Sequence, residues 1–369
     1  MKRIYSLLFC AAALFGTVSC DNADQNDDVV VPDESVTASY LYTLNGGKYT
    51  SNNASLTSYN IESGAIVDDL FATVNGQGLG DTAQDVIQLG DYIYIAVYNS
   101  GVIFVTDLEG AIMTTITNET YSYPRYFASD DEYIYVSYYD GAVAKISPES
   151  NTIVAEAAVA TNLGNPEKLV EVDGSIYIAV SDYGYGNEVS KIYVYDASTM
   201  TFTKSIDLLI GNPTAIEADS DGNLYVISMG DYYTIPSTLQ KIDAQTGEVT
   251  VIDITEIEDA APTMMTMGAD NVLYVVEGVS NASTGWAMVG NVYAYDTTTG
   301  GITTFITDGT SISNMYSISA NVENGELYVG TSDYTNTGDV YVLNADGTLN
   351  TTIGVGMNPM KTISIVIEE

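Results

Sequence analysis

The sequence predicts an all-β fold: a seven-bladed β-propeller whose first blade is closed by the C-terminal strand. Three observations carry that prediction. One apolar-Tyr-apolar strand pattern recurs about seven times, tight polar turns separate the copies, and the last strand lacks a blade of its own. No long segment shows helical periodicity.

In chain order, Lys2 and Arg3 form a short basic region before the apolar stretch Ile4 to Phe15. That stretch is too short to span a bilayer and suits a secretory signal. Small residues, Gly16-Thr17-Val18-Ser19, then lead to Cys20 in the manner of a bacterial lipobox. Residues 1–19 are therefore expected to be a lipoprotein signal peptide, with Cys20 lipidated and holding the chain to a membrane. An ordinary secretory signal cut nearby is the alternative. Residues 20–37 begin with the polar, acidic run Asp21 to Asp28, which has nothing to bury and is expected to be a disordered tether. Residues 38–369 then form a single propeller domain.

The strand copies are Leu41-Tyr42-Thr43, Ile93-Tyr94-Ile95, Ile134-Tyr135-Val136, Ile176-Tyr177-Ile178, Leu224-Tyr225-Val226, Leu273-Tyr274-Val275 and Leu327-Tyr328-Val329. They lie roughly 40 to 55 residues apart, the period of a four-stranded blade. Their alternation has a period of two, read as a strand with one buried face. Turns such as Gly90-Asp91, Asp173-Gly174 and Asn324-Gly325 precede most copies. A third strand ending near Asp or Asn follows most of them, as in Tyr193-Val194-Tyr195-Asp196 and Tyr293-Ala294-Tyr295-Asp296. The final strand, Thr362 to Ile367, pairs most simply with the strands of Ser39 to Ala72 and removes two free edges.

Composition excludes several functions. With 49 acidic against 10 basic residues the formal charge is −39, which repels phosphate backbones and argues against nucleic acid as a partner. It also argues against docking on anionic lipid heads through a basic patch. Histidine is absent, and both cysteines, Cys10 and Cys20, fall in the signal or its cleavage site. The commonest general base, thiolate chemistry and His or Cys metal sites are thereby removed. No catalytic residue, metal or catalytic cofactor is expected. Asp219-Ser220-Asp221-Gly222 has an oxygen-ligand look, but it sits in a hairpin turn and lacks the rest of a calcium loop. Asp81-Thr82-Ala83 fits a short O-glycan acceptor pattern.

In a propeller the loops between second and third strands share one face with the connections between blades. Here those loops are rich in aromatic residues, giving Tyr98, Tyr138, Tyr183, Tyr185, Tyr232, Tyr233, Trp286 and Tyr334 as candidate ligand contacts. Tyr and Trp offer rigid area with a polar tip, suited to a large, flat, amphipathic ligand. Packing between blades is the competing reading, and it is favoured for the repeated strand tyrosines. Pro124, Pro166, Pro213, Pro262 and Pro359 recur where each innermost strand begins. Residues there should ring the channel mouth: Gln84/Asp85, Arg125, Glu167, Thr214, Thr263/Met264, Met315/Tyr316 and Met357/Met360. Arg125 and Tyr316 join the candidate site. Arg125, the only arginine beyond the signal, could fork onto a ligand or pair with a carboxylate.

Gly230-Asp231-Tyr232-Tyr233-Thr234-Ile235-Pro236-Ser237, Phe305-Ile306-Thr307-Asp308-Gly309-Thr310 and Asn324-Gly325-Glu326-Leu327-Tyr328-Val329 carry a family resemblance. Together with the blade order, which extends it over nearly the whole mature chain, they resemble the YncE-like, surface-layer-type propellers of Bacteroidetes. More narrowly, the chain resembles the BtuG-type surface lipoproteins, and the acidic run after Cys20 looks like their surface-export signal. The resemblance implies a non-catalytic, surface-facing lipoprotein of the outer membrane. It would capture a corrinoid of the vitamin B12 (cobalamin) class and pass it to a TonB-dependent outer-membrane transporter. Two alternatives stay open: a glycan- or protein-binding adaptor of an outer-membrane uptake system, and a metal-dependent lactonase- or lyase-like propeller enzyme. The absence of histidine and of a mature thiol counts against the enzyme.

Overall fold

A computed structural model describes residues 37–159, 164–182, 189–254, 261–279 and 288–368. The signal segment, Cys20, Tyr183, Tyr185 and Trp286 lie outside the described residues. The strand repeat builds seven four-stranded antiparallel sheets arranged as blades in a ring. The innermost strands, numbered here by blade from 1 to 7, are Pro359–Glu368, Ala83–Leu89, Pro124–Ser129, Asn165–Val172, Pro213–Ala218, Ala261–Met267 and Met315–Ala320. In blade 1 the C-terminal strand Pro359–Glu368 pairs along the whole of Thr37–Asn45, with Leu41 opposite Ser364 and Tyr42 opposite Ile363. Closure is therefore by the last strand, as the orphaned C-terminal strand predicts.

The repeated second strand is buried on both faces, not one. In Tyr92–Val97, the side chains of Ile93, Ile95 and Val97 pack against Tyr42 and Leu44 of blade 1. Tyr94 and Ala96, on the opposite side, pack against Phe127, Ile134 and Val136 of blade 3. Each such side chain contributes about 1.5–3 kcal/mol by leaving water, so the inter-blade layers are the core. The pattern's tyrosines belong to these layers. Tyr42, Tyr94, Tyr135, Tyr225, Tyr274 and Tyr328 are buried and Tyr177 is half-buried. Burial of a phenol needs a partner for its hydroxyl. Tyr42 donates to the Leu108 carbonyl at 2.9 Å, Tyr135 to Asp130 at 2.7 Å and Tyr225 to Asp219 at 3.0 Å.

Blade 1 departs from the others at its rim. Its fourth strand is only Ile66–Val67, and a short helix, Leu70–Asn75, follows. Asp69 caps the helix by accepting from the Ala72 N–H at 3.0 Å, and Gly76 ends it at φ 66°. The helix buries Phe71 against Phe104, with ring centres 4.9 Å apart, filling the space a longer outer strand would cover. Among the described residues no helix is long and apolar enough to cross a membrane.

Candidate functional site: the axial mouth

Every innermost strand slips register against its neighbour within its first few residues. A β-bulge inserts residues that the partner strand does not match and re-aims their side chains. Five of the seven strands carry proline as their first or second residue, at 124, 166, 213, 262 and 359. A missing N–H is tolerated there because the ladder is already interrupted. Gln84, Tyr126, Lys168, Thr214, Thr263, Tyr316 and Met360 fall at the slips, one from each blade. All of them line an axial cavity of about 530 Å³.

Ion pairs stitch neighbouring blades together around this axis. Arg125 Nε lies 2.6 Å from Glu167 Oε2, Lys168 Nζ 2.5 Å from Glu217 Oε1, and Lys361 Nζ 2.9 Å from Asp85 Oδ1. The second oxygen of Asp85 accepts from the Phe127 N–H at 2.8 Å, tying blade 2 to blade 3. Burial works against the charge on Lys168, but the adjoining Glu217 carboxylate outweighs it and holds the ammonium above its ordinary value.

Above the cavity sits a collar of tyrosines. The Arg125 guanidinium lies 4.8 Å from the ring centre of Tyr139, 5.3 Å from Tyr126 and 5.8 Å from Tyr98, within cation–π range. Tyr98 packs on Tyr123 at 5.0 Å and on Tyr139 at 5.8 Å. Tyr316 and Tyr334 meet edge to face at 5.4 Å. Burial, with the nearby Tyr334 and Tyr126 hydroxyls, pushes the Tyr316 phenol up to about 12.

Two collar tyrosines sit in strained backbone. Tyr232 and Tyr334 both have φ 62°, a left-handed conformation costly for a bulky side chain, about 1–3 kcal/mol each. The preceding aspartate holds each one there. Asp231 Oδ1 accepts from the N–H groups of Tyr233, Thr234 and Ile235, at 2.9, 2.7 and 2.7 Å. Asp333 Oδ1 accepts from Thr335 and Asn336 at 2.8 and 2.7 Å. The Thr234 hydroxyl and these backbone donors keep the Asp231 carboxyl well below the usual range. Gly230 is required beside it: at φ 67°, a Cβ would stand 2.0 Å from the Ile235 carbonyl oxygen.

The structure thus gathers Tyr98, Arg125, Tyr316 and Tyr334 at the mouth. Burial raises the Tyr232 hydroxyl, and it lies close enough to Ser181, Glu167 and Tyr139 to feel them. Tyr233 is 72% exposed on the same loop. Tyr138 must be corrected: only 2% exposed, it packs against Tyr121 in the layer between blades 2 and 3. The ladder pairs it with Pro124 and Ala142, so it is still strand and faces the core. Its neighbour Tyr139 is the collar residue. The competing reading of Arg125, a carboxylate pair, is the one realised. Sequence reasoning missed Tyr123, Tyr126, Tyr139 and Lys168. The bulge explains two of the four, Tyr126 and Lys168: the slip after the proline at the strand start turns the next one or two residues inward.

The oxygens of Asp219 accept from Asp221 N–H, Asn223 N–H, Asn223 Nδ2 and the Tyr225 hydroxyl, so this turn is self-satisfied. No cluster of three or more potential metal ligands exists among the described residues. The Thr82 hydroxyl of the O-glycan pattern donates to Asp81 at 2.9 Å.

These features define a seven-bladed β-propeller with an aromatic, ion-paired mouth on one face. The chain belongs to the family described as domain of unknown function DUF5074, whose profile matches residues 40–357. Solved structures share the fold. Kuenenia stuttgartiensis hydrazine synthase aligns at 16% identity with a TM-score of 0.60, covering 77% of this chain and 94% of the other. The computationally designed Ika8 protein aligns at 14% identity and TM-score 0.52, covering 82% and 79%. The RRP9 WD40 repeats align at 9% identity and TM-score 0.54, covering 74% and 81%. At such identities the likeness is one of fold alone. No curated protein matches the sequence.

Proposed function

We propose that this protein is a non-catalytic capture protein whose tyrosine collar holds a large, flat, amphipathic ligand of the corrinoid class. The observation that carries the reading is the collar itself: Tyr98, Tyr123, Tyr139, Tyr316 and Tyr334 assembled with Arg125 around one mouth. Rigid rings on a closed disc lose little entropy on binding, so tight capture needs no chemistry. Arg125, already paired with Glu167, acts by fixing the rings. The resemblance to BtuG-type surface lipoproteins supports cobalamin as the ligand. It also supports an outer-membrane location through a lipid on Cys20, and delivery to a TonB-dependent transporter.

Titration of the chain from Ser35 onward with cyanocobalamin tests this, read by heat and by tyrosine fluorescence. One-to-one binding that Tyr334→Ala weakens at least tenfold supports the reading. No binding at micromolar protein overturns it.

A further inference from the structure

Below the collar the axial cavity has a chemistry of its own. Its two cations are both committed: Lys168 to Glu217 of blade 5, and Lys361 to Asp85 of blade 2. The remaining carboxylate of the wall, Glu171, stands at the far rim and accepts from the Gly174 N–H at 2.6 Å. The other polar groups contributed at the bulges are neutral, from Gln84, Thr214, Thr263 and Tyr316, and Met264 and Met360 stand among them.

The geometry points to a second recognition site in this cavity, for an uncharged hydrogen-bonding group such as an amide or a polyhydroxyl ring. An entering anion must draw Lys168 or Lys361 from its carboxylate, leaving Glu217 or Asp85 uncompensated in a confined site. An entering cation that takes Glu217 or Asp85 strands the lysine instead, and Glu171 at the rim already accepts from the Gly174 N–H. Either exchange costs more than it gains, because a broken pair leaves one charge desolvated and alone. A neutral amide or hydroxyl disturbs neither pair and exchanges hydrogen bonds with threonine, glutamine and tyrosine groups. The thioethers adapt to its carbon skeleton. The inference rests on the capture reading only for whose group enters: an arm of the collar's ligand or a separate small molecule. The site itself is built from strands, not loops.

Three matched probes test it: N-acetylglucosamine (neutral), glucosamine (cationic) and glucuronate (anionic). Saturation-transfer NMR at a pH of about 6 keeps the amine protonated. The neutral probe is expected to bind about tenfold more tightly than either charged one. Thr214→Val/Thr263→Val keeps side-chain shape and removes two hydroxyls, and should weaken the neutral probe about fivefold. If the double variant fails to fold, Thr214→Val alone carries the comparison. Charged probes binding as well as the neutral one, no probe binding, or an undiminished variant would each overturn the proposal. Cyanocobalamin titrated in parallel separates the two readings. Sugar binding without cyanocobalamin binding removes corrinoid capture and leaves the channel site. Cyanocobalamin binding with no preference among the probes does the reverse.

Discussion

The two ends of the propeller use the same turn chemistry for different purposes. At the end away from the mouth, hairpins between third and fourth strands close on an aspartate. Asp196 accepts from Ser198 and Thr199 N–H at 3.0 and 2.8 Å, Asp243 from Gln245 and Thr246 at 3.0 and 2.8 Å, and Asp296 from Thr298 and Thr299 at 2.9 and 3.1 Å. Asp231 and Asp333 do the same at the mouth. The difference lies in which residue takes the left-handed position. In the far hairpins it is the fourth residue after the aspartate, glycine in two (Gly247 at φ 72°, Gly300 at φ 75°) and methionine in the third (Met200 at φ 54°). At the mouth it is the residue directly after the aspartate, and in both turns it is tyrosine, Tyr232 and Tyr334. Glycine makes the turn without strain, whereas tyrosine accepts strain and gains a projecting ring. Strain by itself does not single out the mouth, since Met200 carries it at the far end with its side chain in the core. Only at the mouth does it belong to tyrosines whose rings stand in the collar.

Substitutions can break or sharpen that contrast. The largest effects should come from groups that the mouth shares with the core. Tyr138→Ala should cost about 3–5 kcal/mol in urea unfolding, as expected for a large buried aromatic side chain. Arg125→Ala should cost about 3–5 kcal/mol, because Glu167, only 1% exposed, loses the cation that offsets its burial. A loss below about 1 kcal/mol in either variant would remove that residue from the structural role given it here. Next comes Gly247→Ala at the far end. Nothing lies within 4 Å of the added Cβ, so only the left-handed backbone resists it, at about 1–2 kcal/mol. Cyanocobalamin binding should be unchanged in this variant. Smaller still in stability is Tyr334→Gly. Relief of strain and loss of the Tyr316 contact should offset each other to within about 1 kcal/mol. Ligand affinity should nevertheless fall at least about tenfold. If Gly247→Ala and Tyr334→Gly changed stability and binding alike, the two ends would not differ in purpose.

The blade count and closure were legible because the second strand repeats its tyrosine in register with a fixed period. The C-terminal strand Thr362 to Ile367 likewise had no partner in sequence. Burial of the repeated second strand on both faces was not legible, since alternation of Ile and Tyr reads as one apolar face until both sides meet neighbouring blades. The candidate site was legible at the prolines, which mark where chain direction and pairing reset. Tyr138 and Tyr139 show the limit. Their order in sequence is plain, but the residue at which the strand releases the chain decides which ring enters the core. Pairing fixes that point, not side-chain type. The Asp231 and Asp333 turns were visible as aromatic-rich loops. Their left-handed tyrosines were not, because strain is a property of the folded backbone.

The smallest expected effect, and the finest test of the contrast, is in pH dependence. At the far end the Ser198 hydroxyl, with the Thr199 N–H and hydroxyl, lowers Asp196 to about 2 from 3.8. Hydrogen bonds from Thr246 and Thr299 lower Asp243 and Asp296 in the same way. At the mouth, burial raises Tyr126, and it raises Tyr316 from 10.0 to about 12. A carboxyl depressed on folding contributes stability above its unfolded value and loses it as pH falls toward the folded one. A phenol raised on folding contributes below its unfolded value and loses it as pH rises toward the folded one. Stability should therefore be flat between about pH 4 and 10 and decline outside that window. The acid limb belongs to the hairpin aspartates of both ends, Asp231 and Asp333 at the mouth included, and the alkaline limb to the buried phenols of the mouth and of the inter-blade layers. Urea midpoints across pH should show Asp196→Asn softening the acid limb alone and Tyr316→Phe the alkaline limb alone. Two variants that each moved both limbs would mean that the ends titrate as one network.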